Sequence, residues 1–312
     1  MNRLTTFLLA FALPILAGAQ ERFVFSPQSN AQAQFAGYYA ALEKGFYAEE
    51  GLDVEILHPF ATSYALDNIR EGNCQAITLP LTLAMRTIAT DIPLVNILQT
   101  SMNSATIIIS RWGDDPLTLH GAKVTAFRAG FGQSARSFAE MLGLDYEWIT
   151  SASEVDLFIA GAVDATLGRS FDEYYRILQT GIDIPEKAIY RFEKGEFNIQ
   201  QEGVYVTREY YETHREQAEA FARASRRGWE WVAENREAAL DIVMRYTKEL
   251  HVATNRTLQQ LMLEEVLRLQ LDPDSGQRSF QIRPDMVEKA NQMLLQAGVL
   301  TKGPVKMEDV RP

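Results

Sequence analysis

Cysteine, histidine and positive charge are all scarce in this 312-residue chain, and each scarcity excludes something. There are 30 Lys and Arg against 41 Asp and Glu, a formal net charge of −11. Nucleic-acid binding needs a basic face, so that balance argues against it. It also removes long-range steering of anions, although one local arginine can still hold an anion. The single cysteine, Cys74, rules out an internal disulfide and reads as a small buried hydrophobe at the start of a strand. The four histidines, at 58, 120, 214 and 251, have no metal-ligand spacing, and no G-x-S-x-G nucleophile motif occurs. No metal, cofactor or catalytic residue is therefore assigned, and the chain is read as a binder and not an enzyme.

Long apolar runs are also missing after the first twenty residues, so no membrane-spanning helix is expected. Arg3, the apolar run Leu4 to Leu16 with Pro14 inside it, and Ala17-Gly18-Ala19 form a secretory signal peptide with cleavage after Ala19. No cysteine follows that site, which argues against a lipid anchor. The mature chain is expected to be an exported, periplasmic protein.

What remains is 46% hydrophobic and long enough for about two domains. After the strand-like run Phe23-Val24-Phe25, the residues Phe35, Tyr38, Tyr39 and Leu42 fall at helical spacing, Gly45 ends the helix, Gly51 ends a second short turn, and Val54 and Ile56 alternate as the next strand. Thr62 or Ser63 is expected to cap a helix from Tyr64 to Arg70, and Ala76 to Leu79 is the third strand. A helix follows over Leu81 to Thr90, then a strand from Leu94 to Leu98. The polar loop Gln99 to Ser104 leads into the β-branched run Ala105 to Ile109, a strand buried on both faces. The pattern then repeats. Strand, loop, helix, glycine, strand, helix, glycine, strand runs from Lys123 to Leu167, with Ser151 or Ser153 as cap. Alternating β and α elements give parallel α/β sheets. Gly203 to Thr207 reads as a returning strand. Helices follow from a Thr213–Glu216 capping box to Gly298, packing on the first lobe, with a loose tail from Thr301.

In an open α/β sheet, ligands bind in loops at the carboxyl ends of strands. Phe35 and Tyr38 sit at such a helix start, and aromatic rings there suit a flat ligand, though core packing is the competing reading. The loop Arg128 to Ser134 offers amides at a helix N-terminus, with Arg128 or Arg136 able to add a charged contact. Its Gly130-Phe131-Gly132-Gln133-Ser134-Ala135 formally fits a dinucleotide motif, but Thr150 and serines stand where the ribose-binding acid belongs, so the loop is read as a ligand loop.

Gln34-Phe35-Ala36-Gly37-Tyr38-Tyr39, then Ala41-Leu42-Glu43-Lys44-Gly45-Phe46-Tyr47 and Glu50-Gly51-Leu52-Asp53-Val54, resembles the opening signature of the SsuA/THI5-like (NMT1) family of solute-binding proteins. The resemblance implies a bilobal type II periplasmic binding fold, two doubly wound α/β lobes joined by a two-strand hinge. Residues 20–110 and 207–312 would form lobe 1, and 111–206 lobe 2. It implies a small-molecule ligand in the cleft, a monomer, and delivery to an ABC transporter permease or, alternatively, to a membrane sensor kinase. The Gln-Phe-Ala-Gly-Tyr-Tyr form is most similar to members that take thiamin pyrimidine precursors. Where the usual form has a glycine-rich loop after the second strand, this chain has His58-Pro59-Phe60-Ala61. The resemblance also places an acid near Asp172-Glu173-Tyr174, so Glu173 is expected to accept from an exocyclic amine. Helix-N-terminal acids favoured by the dipole are the competing reading. The expected ligand-binding set is Gln34, Phe35, Tyr38, Gln99, Ser101, Arg128, Phe131 and Glu173. The family's pyrimidine synthase carries a lysine, a histidine and a cysteine-rich run that this chain lacks: leucines stand at about positions 79 and 83, and no cysteine lies between Phe197 and Val204.

Overall fold

The computed structural model describes residues 21–59, 64–127, 133–151 and 153–312. The expected caps Thr62 and Ser63, and the site residues Arg128 and Phe131, lie outside them. The first lobe runs β1 (Glu21–Ser26), α1 (Ala36–Glu43), α2 (Phe46–Glu49), β2 (Leu52–Ile56), α3 (Ala65–Arg70), β3 (Ala76–Pro80), α4 (Leu81–Thr90) and β4 (Leu94–Gln99). The second runs β5 (Thr106–Ser110), β6 (Lys123–Phe127), α5 (Gln133–Met141), β7 (Glu147–Ser151), α6 (Glu154–Ile159), β8 (Ala165–Arg169), α7 (Glu173–Leu178) and β9 (Ile189–Arg191). The chain returns through β10 (Glu202–Thr207) and ends in α8 (Arg208–Thr213), α9 (Arg215–Glu234), α10 (Arg236–Glu249), α11 (Arg256–Leu269), α12 (Pro284–Gln296) and α13 (Met307–Val310).

Two five-stranded sheets form, in the orders β2-β1-β3-β10-β4 and β7-β6-β8-β5-β9. They share one plan. The first three strands in each are mutually parallel, and the fourth, β10 or β5, is antiparallel to both of its neighbours. Each antiparallel strand is the one that enters from the other lobe. A chain that leaves one sheet at the carboxyl end of a strand and enters the next from the same cleft side must run against its new neighbours. Both crossings, 100–105 and 192–201, therefore lie at the ligand-binding ends of the sheets.

This pairing corrects the expected division of the chain. The strand expected to close the first lobe, β5, hydrogen-bonds to β8 and β9 in the second sheet. All of β10, from Glu202, pairs in the first. Other local expectations also change. No hydroxyl caps α6: Ser151 Oγ donates to the Ser153 carbonyl, and Ser153 caps nothing. Thr213 ends α8 and donates to the Glu209 carbonyl, so there is no Thr213–Glu216 capping box. The tail is not loose. Val305 exchanges two backbone hydrogen bonds with the Asn291 amide, and Val310 is fully buried in α13.

The aromatic stripe of α1 faces α9. Phe221 stacks on Phe23 at 4.6 Å and on Tyr47 at 5.1 Å, and the Trp229 ring meets Tyr38 edge-on at 5.8 Å. The two helices cross at Gly37 and Gly228. A Cβ on Gly37 would overlap the Trp229 ring, and one on Gly228 would overlap the Gly37 carbonyl. Two glycines at one crossing bring the backbones closer than an ordinary helix pair and fix Trp229 against α1.

Candidate functional site

The β10 strand opens with an acid in an otherwise apolar run. The carbonyl of Glu202 accepts from the Thr100 and Ser101 amides, both at 3.0 Å, and from Gln99 Nε2 at 2.9 Å. Thus the first residue of one crossing strand and the first residues of the other crossing are tied at a single point. Gly203 makes room for this, because a Cβ there would overlap the Asn96 and Gln99 amides. The neighbouring Gln201 reinforces it. Its Oε1 accepts from the Ala105 amide at 3.0 Å and its Nε2 donates to Ser104 Oγ at 3.0 Å.

The Glu202 side chain is buried at the end of an interlobe cavity. Its Oε2 accepts from Gln34 Nε2 and from Gln28 Nε2, the latter at 3.0 Å. Its Oε1 has only Thr100 Oγ1, at 3.5 Å. Among the described residues no cation is paired with it. Burial pushes this carboxyl up to about 7, against the hydrogen bonds from Gln34, Gln28 and Thr100 and the more distant charge of Arg169. Near neutrality the group is available as a neutral acid, with Oε2 accepting from the two glutamine amides and Oε1 able to carry an O–H donor.

Arg169 and Phe171 line the cavity from the second lobe, and Trp229 and Gln270 line it from helices α9 and the end of α11. The whole space is about 460 Å³ including its opening to solvent, but only about 40 Å³ admits the centre of a water-sized sphere. Water needs about 10–15 Å³ by that measure, so the enclosed part holds a few waters at most. Among the described residues no group of three or more His, Cys, Asp or Glu side chains is placed to hold a metal ion.

Of the expected residues, Gln34 and Ser101 line this cavity. Gln99 stands one layer behind, spent on Glu202's backbone. Phe35 and Tyr38 are wholly buried, Tyr38 against Phe25 of β1 and Phe221 and Trp229 of α9, Phe35 beside the His58 ring at 5.8 Å, so the helical stripe is core. The Tyr38 hydroxyl, close to Thr100 and Trp229, hydrogen-bonds to neither. Glu173 is buried beneath Gly168, whose added Cβ would come within 2.8 Å of it. Its carboxylate accepts from the Arg169 amide at 2.7 Å and from Arg169 Nε at 2.9 Å. Burial pushes Glu173 up, but the Arg169 charge and hydrogen bonds outweigh it and leave the carboxyl below its ordinary value. Asp172 also holds Arg169, at 2.7 Å. The carboxylate expected at 173 therefore orients Arg169, and the acid in the cavity is Glu202. Sequence reasoning passes over Glu202 because it closes the polar run Asn198 to Glu202. The usable signal is a charged residue directly opening an apolar strand.

Residues 32–239, more than half of the chain, match the family described as NMT1/THI5 like. The formylaminopyrimidine-binding protein of Halalkalibacterium halodurans is 28% identical over 250 residues, covering 75% of this chain and 72% of that protein. Among solved structures, the periplasmic aliphatic sulphonate binding protein SsuA from Escherichia coli superposes with a TM-score of 0.65 at 14% identity, over 94% of this chain and 92% of that one. A ligand-binding component of an ABC-type import system from Staphylococcus aureus, with zinc bound, gives 0.68 at 9% identity, over 94% and 97%. These likenesses establish the bilobal periplasmic-binding fold.

Proposed function

We propose that this chain, which belongs to the NMT1/THI5-like family, is the exported substrate-binding protein of an ABC importer and takes a small aminopyrimidine between its lobes. The observation that carries this is Glu202: a buried acid with no cationic partner among the described residues, one oxygen held by two glutamine amides and the other bonded only at 3.5 Å to Thr100. An aminopyrimidine presents an N–H donor beside a ring-nitrogen acceptor. The remaining oxygen, Oε1, donates its O–H to the ring nitrogen when protonated, and accepts from the ring N–H if the proton moves to the ring. Trp229 and Phe171 offer aromatic surface to a flat ring. A sulfonate carries acceptors only. It would face Glu202, and Arg169 is already engaged by Glu173 and Asp172. The name of the H. halodurans relative supports the pyrimidine class, and the binding proteins among the relatives support transport over catalysis.

In this reading Gln34, Ser101, Arg169, Trp229 and Glu202 contact the ligand, and Glu173 positions Arg169. The lobes divide at the crossings 100–105 and 192–201. A ring needs far more than 40 Å³, typically a pocket of about 300 Å³ or more, so entry requires the lobes to part as a hinge. Because Glu202 ties the two crossings together, a ligand on its side chain acts directly at the hinge.

Thermal unfolding against hydroxymethylpyrimidine, formylaminopyrimidine, thiamin, riboflavin, taurine and alkanesulfonates tests the ligand class. A ligand at a hundred times its dissociation constant adds about 2.7 kcal/mol. Pyrimidines are expected to raise the midpoint and sulfonates to leave it. A rise with sulfonates alone would overturn the assignment.

A further inference from the structure

Two residues that line the cavity carry donors with no hydrogen bond within the protein. Gln270, at the end of α11, is 2% exposed, and its Nε2 has no hydrogen-bond partner. Its amide cannot simply be turned over, because Arg278 Nε donates to Oε1 at 3.1 Å and so fixes the NH₂ as the outward group. Trp229, fully buried and held by the Gly37–Gly228 crossing, has an Nε1–H that lies near the Tyr38 hydroxyl but makes no hydrogen bond within the protein. Both residues line the same cavity as Glu202. Buried donors without partners are rare and costly, and a matching acceptor on a ligand recovers that cost.

We propose that Gln270 and Trp229 are specificity-determining residues that read a neutral acceptor substituent, an acyl or hydroxyl oxygen, on the ligand whose ring edge meets Glu202. The inference rests on the aminopyrimidine reading and goes beyond it by fixing the substituent. The acceptors in the cavity, Glu202 and the unpartnered Gln28 Oε1, come from the strand side, and Gln28's amide is fixed by its bond to Glu202. The helical side offers donors. A formamido oxygen satisfies them. A protonated aminomethyl group in the same place would set a cation against two N–H donors.

The test uses three probes on the full mature protein: 4-amino-2,5-dimethylpyrimidine, its 5-formamidomethyl derivative and its 5-aminomethyl derivative. Dissociation constants are measured by calorimetry for the wild type and for Gln270→Met, Trp229→Phe and Gln270→Glu, with a thermal melt of each variant as a folding check. The wild type is expected to bind the formamido compound at least about tenfold tighter than the dimethyl compound. Gln270→Met and Trp229→Phe are each expected to shrink that ratio by about threefold or more. Gln270→Glu, with Arg278 behind it, is expected to move the preference toward the aminomethyl compound, which a purely structural role for Gln270 would not do. Equal binding of the formamido and dimethyl compounds by the wild type, or an unchanged ratio in Gln270→Met, would overturn the inference while the ring reading stands. Failure of all three compounds to bind would overturn both.

Discussion

Glu202 and His58 titrate in opposite senses inside the first lobe. Burial keeps Glu202 protonated to about pH 7, against an ordinary 4.5, so its contribution to stability is complete below pH 4.5 and is lost as pH rises to 7. His58 donates Nδ1–H to the Ser29 carbonyl at 2.8 Å and accepts from the Tyr39 hydroxyl at 2.9 Å. Burial lowers it to about 4 from an ordinary 6.5, so its contribution is complete above pH 6.5 and is lost as pH falls to 4. Each change is on the order of 3 kcal/mol. Between pH 4.5 and 6.5 the two slopes oppose, and these groups leave the wild type nearly flat. Glu202→Gln removes one slope. Urea unfolding is expected to show the variant gaining on the wild type by about 3 kcal/mol from pH 4.5 to 8, while its own stability falls below pH 6.5. A constant difference between the two proteins across that range would mean that Glu202 is not a buried neutral acid. The sequence hides this residue. Asn198 to Glu202 reads as a solvated loop, and only the tertiary closure of the two crossings buries its last member.

At the scale of elements, periodicity marks an apolar face without saying what covers it. Tyr38 lies on the face that the helical spacing predicts, yet α9 covers it with Phe221 and Trp229 and makes it core. The covering helix is 180 residues away in sequence, beyond the reach of any local pattern. The Gly37 of the aromatic signature is explained by the same contact, since it exists for the approach of Gly228 and Trp229. Gly228→Ala is expected to cost at least about 1–3 kcal/mol, because an extra methyl must displace backbone and not a flexible side chain. It should also weaken ligand binding by shifting Trp229, so a melting midpoint and a dissociation constant measured on the same sample are expected to fall and rise together. Arg169 and Glu173 give the second lesson. Glu173 is legible as an acid at a helix start, but its partner in β8 decides that it serves an arginine.

At the scale of the molecule, the repeated βα pattern is legible, and the two sheets follow it strand for strand. The lobe to which a crossing strand belongs is not legible, because a fully buried β-branched run such as Ile107-Ile108-Ile109 suits either sheet. Across the cleft, Arg268 of the first lobe pairs with Glu193, at the start of the second crossing, at 2.6 Å, and Asn255 exchanges amide hydrogen bonds with Gln179 of the second lobe at 3.1 and 3.4 Å. The arginine is half exposed, so removing the pair should change unfolding stability by less than about 1 kcal/mol. Its effect belongs to the lobe equilibrium. Arg268→Ala is expected to enlarge the radius of gyration of the ligand-free protein in X-ray scattering and to leave that of the ligand-saturated protein as it was.

The most direct measurement is calorimetric titration of the wild type and Glu202→Ala with an aminopyrimidine and with an alkanesulfonate, at pH 6 and pH 8.5. The wild type is expected to bind the pyrimidine, more tightly at pH 6 than at pH 8.5, and to ignore the sulfonate. Glu202→Ala should weaken pyrimidine binding by at least about tenfold, the scale of one charge-assisted hydrogen bond. Pyrimidine binding that survives in Glu202→Ala, or tight sulfonate binding in the wild type, would contradict the account.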